Sequence, residues 1–201
     1  TSTTSPDGKT VYAICNSSLF AINTGDGSIQ WEWFPQRFVF SEVLISTDGK
    51  TVYASNYGYG ADLYAVNADL YAVNAENGKE KWIYEPRAIT QPEAVFLHSL
   101  TQDSKTLYSI EIFSGGSYVY SINTTDASRE WLYELHDKFN LNAFPSISPD
   151  SNNIYMPVQQ MHHSQYIYAL STTSLASLFS VLNVTTFGYT FSNVILAGLF
   201  N

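Results

Sequence analysis

Apolar side chains along this chain recur mostly at every second position, in short runs. Thr10-Val11-Tyr12-Ala13-Ile14, Leu19-Phe20-Ala21-Ile22 and Ile29-Gln30-Trp31-Glu32-Trp33 follow one another closely, and the last alternates strictly. A period of two sends successive side chains to opposite faces, so each run predicts a β-strand. Asp7-Gly8, Asp48-Gly49 and Asp103-Ser104 punctuate the runs. Such dipeptides tolerate the positive φ that tight hairpins demand. One more apolar run precedes each later Asp turn, at Ser41 to Ile45, Glu93 to Leu97 and Phe144 to Ile147. Four strands per unit follow, and helical spacing has little support.

The units repeat. SPDGKTVY at residues 5–12 returns as STDGKTVY at 46–53, TQDSKTLY at 101–108 and SPDSNNIY at 148–155. AINTGDGSIQW at 21–31 returns as AVNAENGKEKW at 72–82, SINTTDASREW at 121–131 and ALSTTSLASLF at 169–179. Trp31, Trp82, Trp131 and Phe179 are 51, 49 and 48 residues apart, a period suited to four-stranded blades. A lone sheet of four strands cannot bury both faces, whereas radial stacking buries them and leaves short edges. The expected fold is therefore all-β, a β-propeller of four-stranded antiparallel blades at about 1–40, 41–92, 93–142 and 143–190. Residues 1–5 leave no evident innermost strand before the first Asp turn. The run Ser192-Asn193-Val194-Ile195-Leu196-Ala197 stands apart near the other end. Residues 191–201 are expected either to complete the first blade and close a ring of four, or to begin a further blade of a larger ring.

The second motif resembles the tryptophan docking motif of propellers of the pyrroloquinoline-quinone repeat type, A-x-D-x-x-T-G-x-x-x-W. The resemblance implies that Trp31, Trp82 and Trp131 wedge between neighbouring blades, with Phe179 in the same place in the fourth unit. It implies small partners at Ala21, Ala72 and Ser121 and turn glycines at Gly27 and Gly78. The chain departs from the pattern at Asn23, Asn74 and Asn123, where the family carries Asp. It departs again at Ala127, where the family carries Gly, and through most of the fourth unit, with Leu175 and Phe179. Members of the family commonly have seven or eight blades, which favours an arc of a larger ring.

An identical heptad, ADLYAVN, occurs twice in tandem at residues 61–67 and 68–74. Seven is odd, so both copies cannot continue one strand with the same face inward. The spacing to Trp82 places the second copy in the blade. The first copy is left as loop, bulge or hairpin extension.

Composition narrows the function. With 18 acidic and 9 basic residues and no basic run, the chain lacks the clustered cations that nucleic acid or an anionic membrane surface calls for. No run of apolar residues is long enough for a membrane helix. A single cysteine, Cys15, excludes an internal disulfide and is expected as a buried thiol in its strand. Sequons at Asn16, Asn123 and Asn183 permit a secreted location, and an extracellular, lumenal or periplasmic one is expected.

Candidate chemistry is sparse. Met161-His162-His163 lies between two strands, and the adjacent His162 and His163 could share a metal only within a loop. His98 and His136 are isolated. Glu32, Glu85 and Glu134 follow the docking aromatics and are expected to face solvent. No nucleophile-elbow, phosphate-loop, dinucleotide or zinc-protease motif occurs. No catalytic residue and no cofactor is expected. Tyr57 and Tyr59 in Tyr57-Gly58-Tyr59-Gly60, and Tyr118 after Ser114-Gly115-Gly116, are the expected contact residues, since aromatics on loops suit a partner. The resulting expectation is a non-catalytic scaffold binding a protein or glycan, joined by further blades if the chain is part of a larger ring. The alternatives are part of a dehydrogenase using pyrroloquinoline quinone and calcium, as the resemblance allows, or a structural element of an extracellular assembly.

Overall fold

The computed structural model describes residues 1–16, 18–34, 40–56, 70–84, 94–113, 116–135, 146–159, 165–172, 179–184 and 195–197. These residues form only strands and turns. Sheet I comprises β1 (Ser2–Thr4), β2 (Thr10–Cys15), β3 (Ser18–Asn23) and β4 (Ile29–Trp33), hydrogen-bonded in that order. Sheet II has β5 (Phe40–Ile45), β6 (Thr51–Asn56), β7 (Leu70–Asn74) and β8 (Glu80–Tyr84). Sheet III has β9 (Ala94–Leu100), β10 (Thr106–Phe113), β11 (Gly116–Asn123) and β12 (Arg129–Leu135). Sheet IV has β13 (Ser146–Ile147), β14 (Asn153–Gln159), β15 (Gln165–Ser171), β16 (Phe179–Val184) and β17 (Ile195–Ala197).

Contacts divide the chain into two compact units. One is Thr1–Ser114 with Tyr118–Glu134, and the other is Gly115–Ser117 with Leu135–Asn201. In the first unit, sheet I packs on sheet II through Tyr12, Leu19 and Ala21 against Val52, Ala54, Tyr71 and Val73. Sheet II packs in the same way on sheet III, through Tyr53, Leu70 and Ala72 against Leu107, Tyr120 and Ile122. Sheet II thus offers one face forward to sheet III and receives sheet I on the other.

The Asp turns explain themselves chemically. In the first, the Ser5 hydroxyl donates to Asp7 Oδ1 (2.7 Å), which also accepts from the Lys9 amide (3.1 Å). The Thr10 amide donates to Ser5 Oγ (2.9 Å). Ser46 and Asp48, Thr101 and Asp103, and Ser148 and Asp150 repeat this pattern. Gly8 and Gly49 take φ of 72° and 71°, and Ser104 and Ser151 take 56° and 59° at the same place. The second turn of each sheet is bound to the first: the Thr24, Ala75, Thr124 and Thr172 amides donate to the carbonyls of Lys9, Lys50, Lys105 and Asn152. Both turns therefore share one end of each sheet.

Three expectations change. Residues 1–5 do supply an innermost strand, since β1 pairs antiparallel with β2 through Thr3 and Tyr12. Of the late run only residues 195–197 are described, and they pair within sheet IV and not with sheet I. Ile195–Ala197 lies on the outer edge of sheet IV, with Val181 opposite Ile195. Cys15 is exposed. It is the last residue of β2 and pairs with Ser18 at the end of the β2–β3 ladder. Of the tandem heptads, the second supplies β7, and the first lies outside the described residues.

Candidate functional site

The most developed repeated feature of the described chain is where one sheet meets the next. The Trp31 indole reaches forward from β4 and donates through Nε1 to the Ala75 carbonyl of sheet II (2.9 Å). The Tyr12 hydroxyl donates to the same oxygen at 3.3 Å. The two rings lie 5.8 Å apart and tilted by 35°. The indole rests on Gly78, whose φ is 71°, and a Cβ there would sit 2.9 Å from Trp31 Cδ2 and Cε3. Glycine answers two demands at this position, the left-handed backbone and the absent methyl.

The next interface repeats the arrangement. Trp82 Nε1 donates to the Thr124 carbonyl (2.9 Å), and Tyr53 stands 5.9 Å from the Trp82 ring at 41°. Ala127 replaces the glycine and still takes a φ of 60°. A second aromatic contact completes each junction, Trp33 edge-on to Tyr71 at 5.0 Å and Tyr84 with Tyr120 at 5.5 Å. Within a sheet, Ala21 lies opposite Trp31 and Ala72 opposite Trp82, where a small side chain leaves room for the indole. Burial raises the pKa of the Tyr12 and Tyr53 phenols, so both remain neutral donors.

Asn23, Asn74 and Asn123 each turn Oδ1 onto the amide two residues on, accepting from Gly25 (2.8 Å), Glu76 (2.9 Å) and Thr125 (2.9 Å). An amide oxygen serves this Asx-type turn as well as a carboxylate does. It does so without adding charge beside the indole.

The two interfaces differ in one layer. Ile14 packs on the core that includes Ala54 between sheets I and II. At the matching places between sheets II and III stand Ser55 and Ser109, both fully buried. Glu42 pairs with Ser55 across β5 and β6, so it shares that face, and it is only 7% exposed. Among the described residues it is the one buried charged side chain.

The carboxylates of the turns are exposed and held in their charged form. The Ser5 hydroxyl, then the Lys9 amide, lowers the pKa of Asp7 below the ordinary carboxylate value. Ser46, Thr101 and Ser148 do the same for Asp48, Asp103 and Asp150, and Ser28 and Ser128 for Asp26 and Asp126.

The remaining expected residues separate. Gly27 has a positive φ of 73°, close to that of Gly78, but a Cβ on it would meet nothing within 4 Å. Ser121 is fully buried on β11. Tyr118 is a strand residue of β11, half-buried against the core between sheets II and III, where a loop position was expected. His98 is the extra residue of a bulge in β9, since Ser99 and Leu97 face the consecutive residues Tyr108 and Ser109. Glu32 is exposed and accepts from the Ser18 hydroxyl (2.7 Å). Trp131 lies on β12 and Phe179 on β16. Tyr57, Tyr59, Glu85, His136, His162, His163 and Leu175 lie outside the described residues. No cluster of three or more His, Cys, Asp or Glu suited to a metal occurs among the described residues. Tyr12, Tyr53 and Trp33 are the junction residues that the sequence reading passed over. Their signal was present, because a Tyr closes every copy of the first motif.

Four-stranded antiparallel sheets that dock face to face, as sheet I does on sheet II and sheet II on sheet III, define β-propeller blades. No protein-family model and no curated protein sequence matches the chain. Solved structures share the fold. A TolB-like protein from Agrobacterium tumefaciens is similar with a TM-score of 0.61 and 17% identity, over 93% of this chain and 71% of that one. The WD40 domain of SCAP from fission yeast is similar with a TM-score of 0.56 and 10% identity, over 92% of this chain and 41% of that one. Among the described residues no helix is long and apolar enough to cross a membrane.

Proposed function

We propose that the chain is a non-catalytic scaffold built from repeats of the pyrroloquinoline-quinone type. It presents a protein or glycan partner with the links between its strands, at an extracellular, lumenal or periplasmic location. The observation that carries this reading is the doubled junction of Trp31 on Ala75 and Gly78 and of Trp82 on Thr124. It spends the recurrent aromatics of the chain on holding sheets in register. Rigid sheets with variable links are what a binding platform requires. Tyr57 and Tyr59, in the link between β6 and β7, are the proposed contact residues, and Tyr118 contributes the part of its ring that the core leaves exposed.

The test is capture of a protein partner and a glycan array on the intact chain, beside the variant Tyr57→Ser/Tyr59→Ser. The expected result is retention of a partner that the variant loses at unchanged melting temperature. Retention of quinone absorbance after mixing with pyrroloquinoline quinone and calcium would overturn the scaffold in favour of an enzyme.

A further inference from the structure

The glycine beneath Trp31 follows an asparagine. In an Asn-Gly pair the main chain readily attacks the side chain, because glycine has no Cβ to hinder the approach. The nitrogen of Gly78 would bond to Cγ of Asn77 and lose its proton, while Nδ2 leaves as ammonia. Water then opens the succinimide ring. Opening at one carbonyl gives aspartate. Opening at the other gives isoaspartate, whose main chain runs through the side-chain carboxyl carbon.

Asn77 is exposed, yet its turn is held against this reaction. The Gly78 amide donates to the Asn74 carbonyl (2.9 Å), and the Asn74 amide donates to the Lys79 carbonyl (2.7 Å). Asn77 Oδ1 accepts from the Lys79 amide (3.0 Å). Swinging the Gly78 nitrogen onto Cγ breaks the bonds to Asn74 and from Lys79. The docked indole opposes that swing from above. Its ring stands 2.9 Å from a Cβ built on Gly78, and its Nε1 holds the Ala75 carbonyl at 2.9 Å.

The neighbouring sheets show that the turn does not need an amide at this place. Asp26 and Asp126 accept from the Ser28 and Ser128 amides, both at 2.9 Å, as Asn77 does from Lys79. The aspartate product therefore keeps the turn. Isoaspartate adds one carbon to the main chain of the turn and shifts the glycine from under the indole.

We propose that Asn77 is a modification site gated by Trp31. It stays unreacted while the indole covers Gly78. It converts to isoaspartate when the junction between sheets I and II opens locally. The junction cannot then close as before, so the site keeps a one-way chemical record of that opening. Every group involved lies within sheets I and II, and the inference is independent of the partner proposed for the links.

Peptide mapping of the intact chain in mildly alkaline buffer tests it, reading Asn77 conversion by mass and isoaspartate by its separate elution. The same chain in urea gives the ungated rate. Conversion in the folded chain is expected to be at least about tenfold slower, since the reactive open state is a minor one, about 10% or less. Trp31→Phe removes the Nε1 donor and thins the contact, and should raise the folded rate severalfold. Trp82→Phe loosens the next junction instead and should leave that rate unchanged. The purified isoaspartyl chain should melt lower than the wild type, and Asn77→Asp should melt with it. Should Trp31→Phe lose its cooperative melting transition, Tyr12→Phe removes the second donor to the Ala75 carbonyl and reads the same gate. A folded wild type that converts as fast as the chain in urea overturns the proposal. So does equal acceleration by Trp31→Phe and Trp82→Phe, which would make general unfolding the gate in place of the indole.

Discussion

The six-membered ring of Trp31 lies so close to the Cα of Gly78 that a single methyl would stand 2.9 Å from Cδ2 and Cε3. Gly78→Ala should therefore cost about 2–4 kcal/mol, combining a left-handed φ with an overpacked contact. Gly27→Ala shares the φ but meets nothing, so its cost should be about 1–2 kcal/mol. Urea unfolding of the two variants at low protein concentration measures the difference, and equal losses would show that the indole does not rest on Gly78.

Ala127 holds a φ of 60° at the position where sheet II has glycine. Ala127→Gly should stabilise the chain by about 1 kcal/mol by relieving that backbone strain. The expected observation is a higher urea midpoint at unchanged slope. A lower midpoint would mean that the methyl's packing beside Trp82 outweighs the strain.

Glu42, Ser55 and Ser109 place a polar layer where the first interface has Ile14 and Ala54. The triple variant Glu42→Leu/Ser55→Ile/Ser109→Ala should gain about 1–3 kcal/mol, as buried charges often do when replaced as a group by apolar side chains. Ser55→Ile/Ser109→Ala alone, keeping Glu42, should lose stability, because the carboxylate then remains in an apolar junction. Both are read by chemical denaturation, and a stable double variant would show that Glu42 does not depend on the serines.

Acid should weaken the turns. Asp7, Asp48, Asp103 and Asp150 are held below the ordinary carboxylate pKa by Ser or Thr hydroxyls and the amides that follow. A folded-state pKa below the unfolded one means that the contribution is present above the unfolded value, about 4, and is lost as pH falls through the lower folded value. Melting temperature should drop progressively below pH ~4. Asp48→Asn/Asp103→Asn, less stable at neutral pH, should show a shallower drop, and parallel curves would refute the assignment.

Much of this architecture is written in local pattern. The alternation of Ile29 to Trp33 fixes a strand, and Asp7-Gly8 fixes the turn before β2. The motif pairs Trp31 with Ala21, which does lie opposite it. The glycine beneath Trp31 is another matter, because Gly78 belongs to the following unit and only stacking brings it there. Likewise Ile195-Leu196-Ala197 reads as a strand from its own residues, but its neighbour is a long-range choice, and pattern does not carry that information. Cys15 looks buried for the same reason: period two assigns it a face but does not say that the strand stops there. Glu42 was hidden by its charge, since a carboxylate in an apolar run reads as solvated until its cross-strand partner Ser55 is seen beneath the next sheet.

The fifth strand of sheet IV alters how that sheet meets the outside. Among the described residues, β4, β8 and β12 end their sheets with a rim of main-chain amides and carbonyls that no further strand engages. An extended peptide could add itself there. Along Phe179, Ser180 and Val181 that opportunity is already taken by Ala197, Leu196 and Ile195. Among the described residues three sheets thus keep an outer edge that no strand pairs, while the fourth has sealed part of its own.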